Sequence, residues 1–311
     1  LADPGPTPCP ACGAPAATGA GECSACGVIF AKWSEKLLRE KARAILEAQQ
    51  LSAPENADAA AAAAPLTPRQ AVAIPAAVFL AAALLAWSDS ARFFVQAGLS
   101  MQVHELGHAL VSWLGGRFAV PLPMVTMSFS PERSILFALA VTAALAWLAK
   151  TAWEEDCRAL LALCAVLLLL QFRLSVLARM DVLDFWVAFG GLGGECAVAS
   201  LLVVFYFHPL PRAARWPAYR AVFLFIGACV LASSLRRWRD ADADFMNVPW
   251  GSFWGGDGDV EAMISGGWTV NVLVKVYLRL VWICAGGAAL AWGRAVWNVR
   301  GRWSRAAELL E

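Results

Sequence analysis

Long apolar runs broken by short charged clusters make up most of this chain. Seven of them stand out, at 70–88, 93–116, 134–149, 159–178, 185–207, 221–235 and 269–293. The first is nineteen residues without a charge, close to the roughly 20 that a helix needs to cross a bilayer. Trp87, Trp113, Trp147, Trp216 and Trp268 sit near the ends of such runs, as interfacial aromatic belts do. Ahead of them the chain changes character. Residues 32–51 have helical spacing with many charges, and 53–69 form an Ala/Pro stretch with little to pack. The pattern divides the chain into a cysteine-rich block at 1–31, a charged helix and linker at 32–69, an apolar domain at 70–298 and a tail at 299–311.

Composition turns this pattern into a class. Of 311 residues 59% are hydrophobic and 16% charged, against about a quarter charged in soluble domains. The fold class expected is an all-α polytopic membrane protein, so the lipid bilayer is one partner. Lys plus Arg number 25 and Asp plus Glu 24, which offers no basic excess for a nucleic acid, and none is expected. No cleavable signal peptide is expected, because the first long apolar run begins only after Arg69. Lys32, Lys36, Arg39, Lys41, Arg43 and Arg69 precede the first run, and Arg294, Arg300, Arg302 and Arg305 follow the last. Basic flanks mark the cytoplasmic side, so both ends belong there. Seven crossings cannot satisfy that; six are expected, with one run re-entrant or incomplete. The expected location is a bacterial inner membrane with the N-terminus cytoplasmic.

The first block carries Cys9-Pro-Ala-Cys12-Gly13 and, ten residues after Cys12, Cys23-Ser-Ala-Cys26-Gly27. Two residues between cysteines let one tight turn present both thiolates to one ion, and two such turns complete a tetrahedral S4 site. Two disulfides and an iron site are the alternatives, and a thiolate site favours a reducing compartment. The block resembles the zinc-ribbon family, which implies a structural zinc on Cys9, Cys12, Cys23 and Cys26.

The run at 93–116 reads FFVQAGLSMQVHELGHALVSWLGG, and its only ionisable groups are His104, Glu105 and His108. On a helix, four-residue spacing puts both imidazoles on one face, where they can hold one zinc with the adjacent Glu in reach of a bound water. Histidines that merely bond neighbouring helices are the bland alternative. A carboxylate beside them in lipid, however, costs several kcal/mol unless it has a partner or a role.

Through HELGHALVSWLGG at 104–116 and its apolar setting the chain resembles the site-2 protease family of intramembrane zinc metalloproteases, over about 90–210. The resemblance implies zinc ligation by His104 and His108, general-base catalysis by Glu105, and a third ligand from a later membrane helix. It further implies a membrane-protein substrate. In the family the third ligand is an Asp in an LDG-type motif; here Leu183-Asp184-Phe185 keeps Leu and Asp. Asp184 is therefore the first candidate. Asp181, three residues earlier, and the loop acids are substitutes. Glu195 competes as the sole charge between 185 and 211. Asp184 and Glu195 lie eleven residues apart, about 16 Å along a helix, so both cannot bind one ion.

Gly190-Gly191-Leu192-Gly193-Gly194 suits close helix packing, or backbone opening toward a substrate strand. Arg117 to Arg133 (RFAVPLPMVTMSFSPER) reads as a strand or re-entrant loop beside the site, or as an ordinary connection. In the family such a segment pairs with extended substrate. Other constellations are discounted. Gly256-Asp257-Gly258-Asp259 matches the GxGD string of aspartyl proteases but lies in a Trp/Gly loop. Asp240, Asp242 and Asp244 alternate as in an EF-hand, yet Phe245 and Gly251 stand where Gly and Glu are needed. His208 closes a run and reads as interfacial, and the cysteines at 157, 164, 196, 229 and 284 as small apolar residues.

These readings converge on an intramembrane zinc endopeptidase holding one catalytic and one structural zinc, with a ribbon that recruits a protein substrate or partner. The rival from another class is a non-catalytic membrane scaffold or sensor with a degenerate HExxH site that binds through the ribbon.

Overall fold

The computed structural model describes residues 7–16, 20–33, 39–40, 66–216, 218–251 and 258–308, with side chains described as far as 301. Most of the charged helix and linker expected at 32–69, and Asp257, lie outside these residues. Two compact units are present, 1–60 and 61–311.

The smaller unit is built from two like turns. Strands β1 (Thr7–Pro8) and β2 (Pro15–Ala16) pair antiparallel across the first. Gly13 N–H donates to Cys9 O at 2.8 Å, and Gly27 N–H repeats that bond to Cys23 O at 2.8 Å. Both glycines have positive φ, +75° and +71°, where a side chain would be strained. A bridge between Glu22 and Ile29 closes the second turn as the strand pair closes the first.

The larger unit is helical. Its elements are α1 (Ile74–Trp87, preceded by a π turn at Arg69–Ala73), α2 (Asp89–Val95), and, after a π turn at Gln96–Ser100, α3 (Met101–Leu114). A short hairpin follows, β3 (Ala119–Pro121) and β4 (Thr126–Ser128). Then come α4 (Ile135–Glu154), α5 (Arg158–Phe172), α6 (Met180–Phe207) and α7 (Tyr219–Ala243). The short α8 (Asp259–Ser265) and the long α9 (Val270–Glu308) complete it. The last helix runs through position 298 without a break, so no separate tail begins there.

Among the described residues six helices are long and apolar enough to cross a bilayer: Arg69–Trp87, Ile135–Glu154, Arg158–Leu177, Met180–Phe207, Tyr219–Ala243 and Val270–Gly301. The molecule is an integral membrane protein. Its outer positions are apolar, with Leu136 81% and Leu290 77% exposed, a surface suited to lipid and costly in water. The seventh apolar run, 93–116, is the one that makes no span of its own.

The side-chain contacts show why. At one end of the bundle Tyr206 donates to Gln70 O (2.6 Å), Trp292 donates to Ala71 O (2.8 Å), and the Glu155 carboxylate accepts from Arg212 N–H. At the other end Arg117 meets Asp184 (2.6 Å), Arg133 meets Ala178 O, and Lys275 meets Asp242 (2.6 Å). Helix α1 starts at the first end and stops at the second, where Arg236 lies over the Trp87 ring. Helix α4 starts at that second end, since Ser134 N–H bonds Gly116 O and Arg133 bonds Ala178 O. Residues 88–134 thus leave and return at one end, carrying the HExxH turn into the bundle between them.

The contact that fixes α3 is with α6. A Cβ on Gly107 would lie 2.1 Å from Gly190 O and 2.9 Å from Gly194 Cα, and one on Gly194 would lie 2.5 Å from Gly107 Cα. Only hydrogen fits at this crossing, which is the small-residue packing of membrane helices. The same antiparallel run puts Gly115 against Leu183. Because the obstructing atoms are backbone, Gly107→Val is expected to cost about 3 kcal/mol of stability, by overpacking. Denaturant unfolding in detergent, with wild type alongside, measures it.

Candidate metal centre

Helix α3 presents His104 and His108 one turn apart on a single face, as the i, i+4 spacing requires. His108 Nδ1–H donates to the Val187 carbonyl at 2.7 Å, and His104 Nδ1–H donates to Glu195 Oε1 at 3.2 Å. In a neutral imidazole a proton on one nitrogen leaves the other with a lone pair. Both Nε2 atoms therefore carry lone pairs, and they stand 3.1 Å apart. The third corner is Asp259. Its Oδ2 lies 3.0 Å from His104 Nε2 and 3.1 Å from His108 Nε2.

With both rings neutral, three acceptors face one another at this distance, an arrangement that a proton or a metal cation between them relieves. Tetrahedral bonds of about 2.0–2.1 Å to nitrogen and oxygen place ligand atoms about 3.3 Å apart, close to the triangle seen here. The donor set of two imidazoles and one carboxylate suits zinc. Charge agrees. Glu105, Glu195 and Asp259 carry three negative charges and Arg237 one positive, which leaves the two that a divalent ion neutralises. Gly191 supplies the room: a Cβ there would lie 2.4 Å from His108 Nε2 and 2.6 Å from Asp259 Oδ2.

Glu105 is buried one residue from His104, and Thr126 Oγ1 on β4 lies 2.8 Å from its Oε2 and 2.8 Å from its backbone O. The hairpin is tied to α3 twice more, by Gln102 Nε2–H to Pro123 O (3.0 Å) and Trp113 Nε1–H to Ala119 O (2.7 Å). Ladder bonds join Leu122 N–H to Val125 O and Phe129 N–H to Phe118 O. The alternation of an antiparallel pair then turns the backbone groups of Thr126 and Ser128 away from β3, to the open edge. His104, Glu105, His108, Thr126, Ser128 and Asp259 all line one cleft of about 660 Å³. An edge strand, a buried carboxylate and a three-cornered ligand set thus share a single cavity.

The carboxylates expected from sequence fall elsewhere. Asp184, the first candidate, is 63% exposed and bonds Arg117 at 2.6 Å, and Asp181 faces Arg179 at 3.2 Å. The reason is register. With Gly107 against Gly190 and Gly194, the HExxH turn is level with the middle of α6, and Asp184 stands about 16 Å away along that helix. Glu195 is at the right level but contacts the far side of the His104 ring.

Asp259, which the sequence reading placed only in the discounted GxGD string and among the loop acids, is the carboxylate that meets both imidazoles. Its one local sign is that it opens the short helix α8, whose Val260 and Met263 are fully buried against α6 and α9. That apolar footing carries the carboxylate into the bundle. Of the discounted acids, Asp240 pairs with Arg92 and Arg236, Asp242 with Lys275, and Asp244 accepts from Met246 N–H. None of these is free to line a calcium loop.

In the N-terminal unit the Sγ atoms of Cys9, Cys12, Cys23 and Cys26 lie within 4.8 Å of one another, with Cys9–Cys26 and Cys12–Cys23 at 3.8 Å. No disulfide joins them, and all nine cysteines are free. Zinc–sulfur bonds of about 2.3 Å set tetrahedral sulfurs about 3.8 Å apart. Burial raises the Cys9 thiol, but bonds from the backbone at Ala11 and Cys12 pull it down to about 7, while, against a backbone bond, the neighbouring thiols push Cys26 up to about 12.

Searches against protein-family models, curated proteins and solved structures found no match to this chain. Elemental analysis of purified protein is expected to find one zinc fewer per chain in Gly191→Ala and in Asp259→Asn. Asp184→Asn is expected to keep the wild-type count.

Proposed function

We propose that the protein is a zinc-dependent intramembrane endopeptidase of the site-2 protease kind, acting on membrane proteins. The observation that carries this reading is the convergence of His104 Nε2, His108 Nε2 and Asp259 Oδ2 beside the buried Glu105, with the open edge of β4 in the same cleft. A zinc ion on these three residues supplies a Lewis acid for a peptide carbonyl and an activated water.

The chain's own groups do the rest. An extended substrate segment adds to β4 as a further strand, its backbone bonded by the outward groups of Thr126 and Ser128. That pairing holds the scissile bond along the cleft wall, in one register, next to the ligand set. Glu105 takes a proton from the attacking water and returns it to the departing amine, as a general base and then a general acid. Thr126 fixes the Glu105 carboxylate for both transfers, so the strand that receives the substrate also orients the base. Helix unwinding is required of the substrate, because only extended backbone can pair with an edge.

The four clustered thiols of the N-terminal unit take a second, structural zinc, and that unit serves as a binding module for a protein partner. All four sulfurs are engaged, so no position remains for chemistry there.

Glu105→Gln is the deciding variant. It is expected to keep wild-type zinc content and to lower cleavage of a membrane-embedded substrate about 10²- to 10⁴-fold. Wild-type cleavage by this variant, measured in proteoliposomes, would overturn the enzyme reading and leave the non-catalytic scaffold.

A further inference from the structure

We infer that Glu195 and Arg237 form a buried pair that orients His104 and matches the charge of the metal centre, making Glu195 a positioning residue and not a ligand. The inference rests on the metal-centre reading above.

Hydrogen bonding decides Glu195's role. Its Oε1 accepts from His104 Nδ1–H (3.2 Å) and from Arg237 (2.9 Å); its Oε2 accepts from Ser234 Oγ–H (3.1 Å) and from Arg237 (2.9 Å). Three donors hold the carboxylate, with Arg237 Nη1 bridging both oxygens, so each oxygen already has two partners. An ion would have to displace one of them. The side chain is 3% exposed, so these protein donors are its principal partners.

Three helices build the device. Ser234 and Arg237 stand three residues apart on α7 and so share one face, Glu195 projects from the middle of α6, and His104 comes from α3. The two ligand histidines are backed differently. His108 donates to the neutral Val187 carbonyl, whereas His104 donates to a carboxylate. A carboxylate behind the ring fixes its tautomer and makes the coordinating nitrogen more basic. Left alone at this depth the extra negative charge would carry a heavy desolvation cost, and Arg237 cancels it. Glu195 thereby strengthens the ligand without changing the net charge that the metal meets.

The test is zinc affinity of the full-length protein in detergent, by competition with a chelator. Glu195→Gln alone leaves Arg237 buried without its partner and risks misfolding. The double variant Glu195→Gln/Arg237→Gln removes both charges and keeps the balance. It is expected to fold and to hold the membrane-unit zinc about ten- to a hundredfold more weakly than wild type. Wild-type affinity in the double variant would show a merely structural pair and overturn the inference. So would loss of zinc as complete as in His108→Ala while Asp259→Asn retains it, which would make Glu195 the ligand. A wild-type zinc count that His108→Ala leaves unchanged would instead sink the metal centre itself, and this inference with it.

Discussion

The approach of α3 to α6 through Gly107, Gly190 and Gly194 is the constraint on which the rest of this molecule depends. Any side chain at Gly107 meets a backbone oxygen, so the two helices touch main chain to main chain. That contact sets their register, and register decides which residues of α6 stand level with the HExxH turn. Val187 and Glu195 reach the two imidazoles from behind, while Gly191 leaves open the space in front. A shift of one turn, about 5.4 Å, would break both backing bonds and fill the open space with a side chain.

Within that frame the candidate metal centre is governed by the cost of charge at depth. Three carboxylates and a guanidinium lie within one apolar bundle, and none can stay there without partners. Glu195 has three donors, Asp259 faces two imidazoles, and Glu105 is held by a hydroxyl from the hairpin. The short helix α8 delivers Asp259 from outside the spanning set, anchored by Val260 and Met263 under Tyr277. One candidate ligand is thus brought by a peripheral segment that a hydropathy profile does not register.

Much of the molecule could be read before its fold was known. Uncharged runs near twenty residues mark the spans, because backbone in lipid must satisfy its own hydrogen bonds. His104, Glu105 and His108 declare themselves by spacing, since i and i+4 share a face on any helix. The paired CxxC turns declare themselves likewise, as local geometry brings each thiol pair together. Counting crossings against the basic flanks gave six spans among seven runs, but only the structure shows that 93–116 is the run without a span of its own. Asp184 shows the limit: its LD pair suggested a ligand, but a likeness of two residues carries no information about helix register.

The sequence by itself determined what is local: helix length and polarity, the two-histidine face, and the thiol turns, all set by bonds within a few residues. The tertiary structure alone decided what is distant in the chain. It placed Asp259, 151 positions beyond His108, against both imidazoles, left Asp184 on Arg117, and put Glu195 at the back of His104. The physical reason is that side-chain encounters between helices depend on crossing point and rotation. Those follow from close packing of whole surfaces, here from glycines that admit one approach and no other.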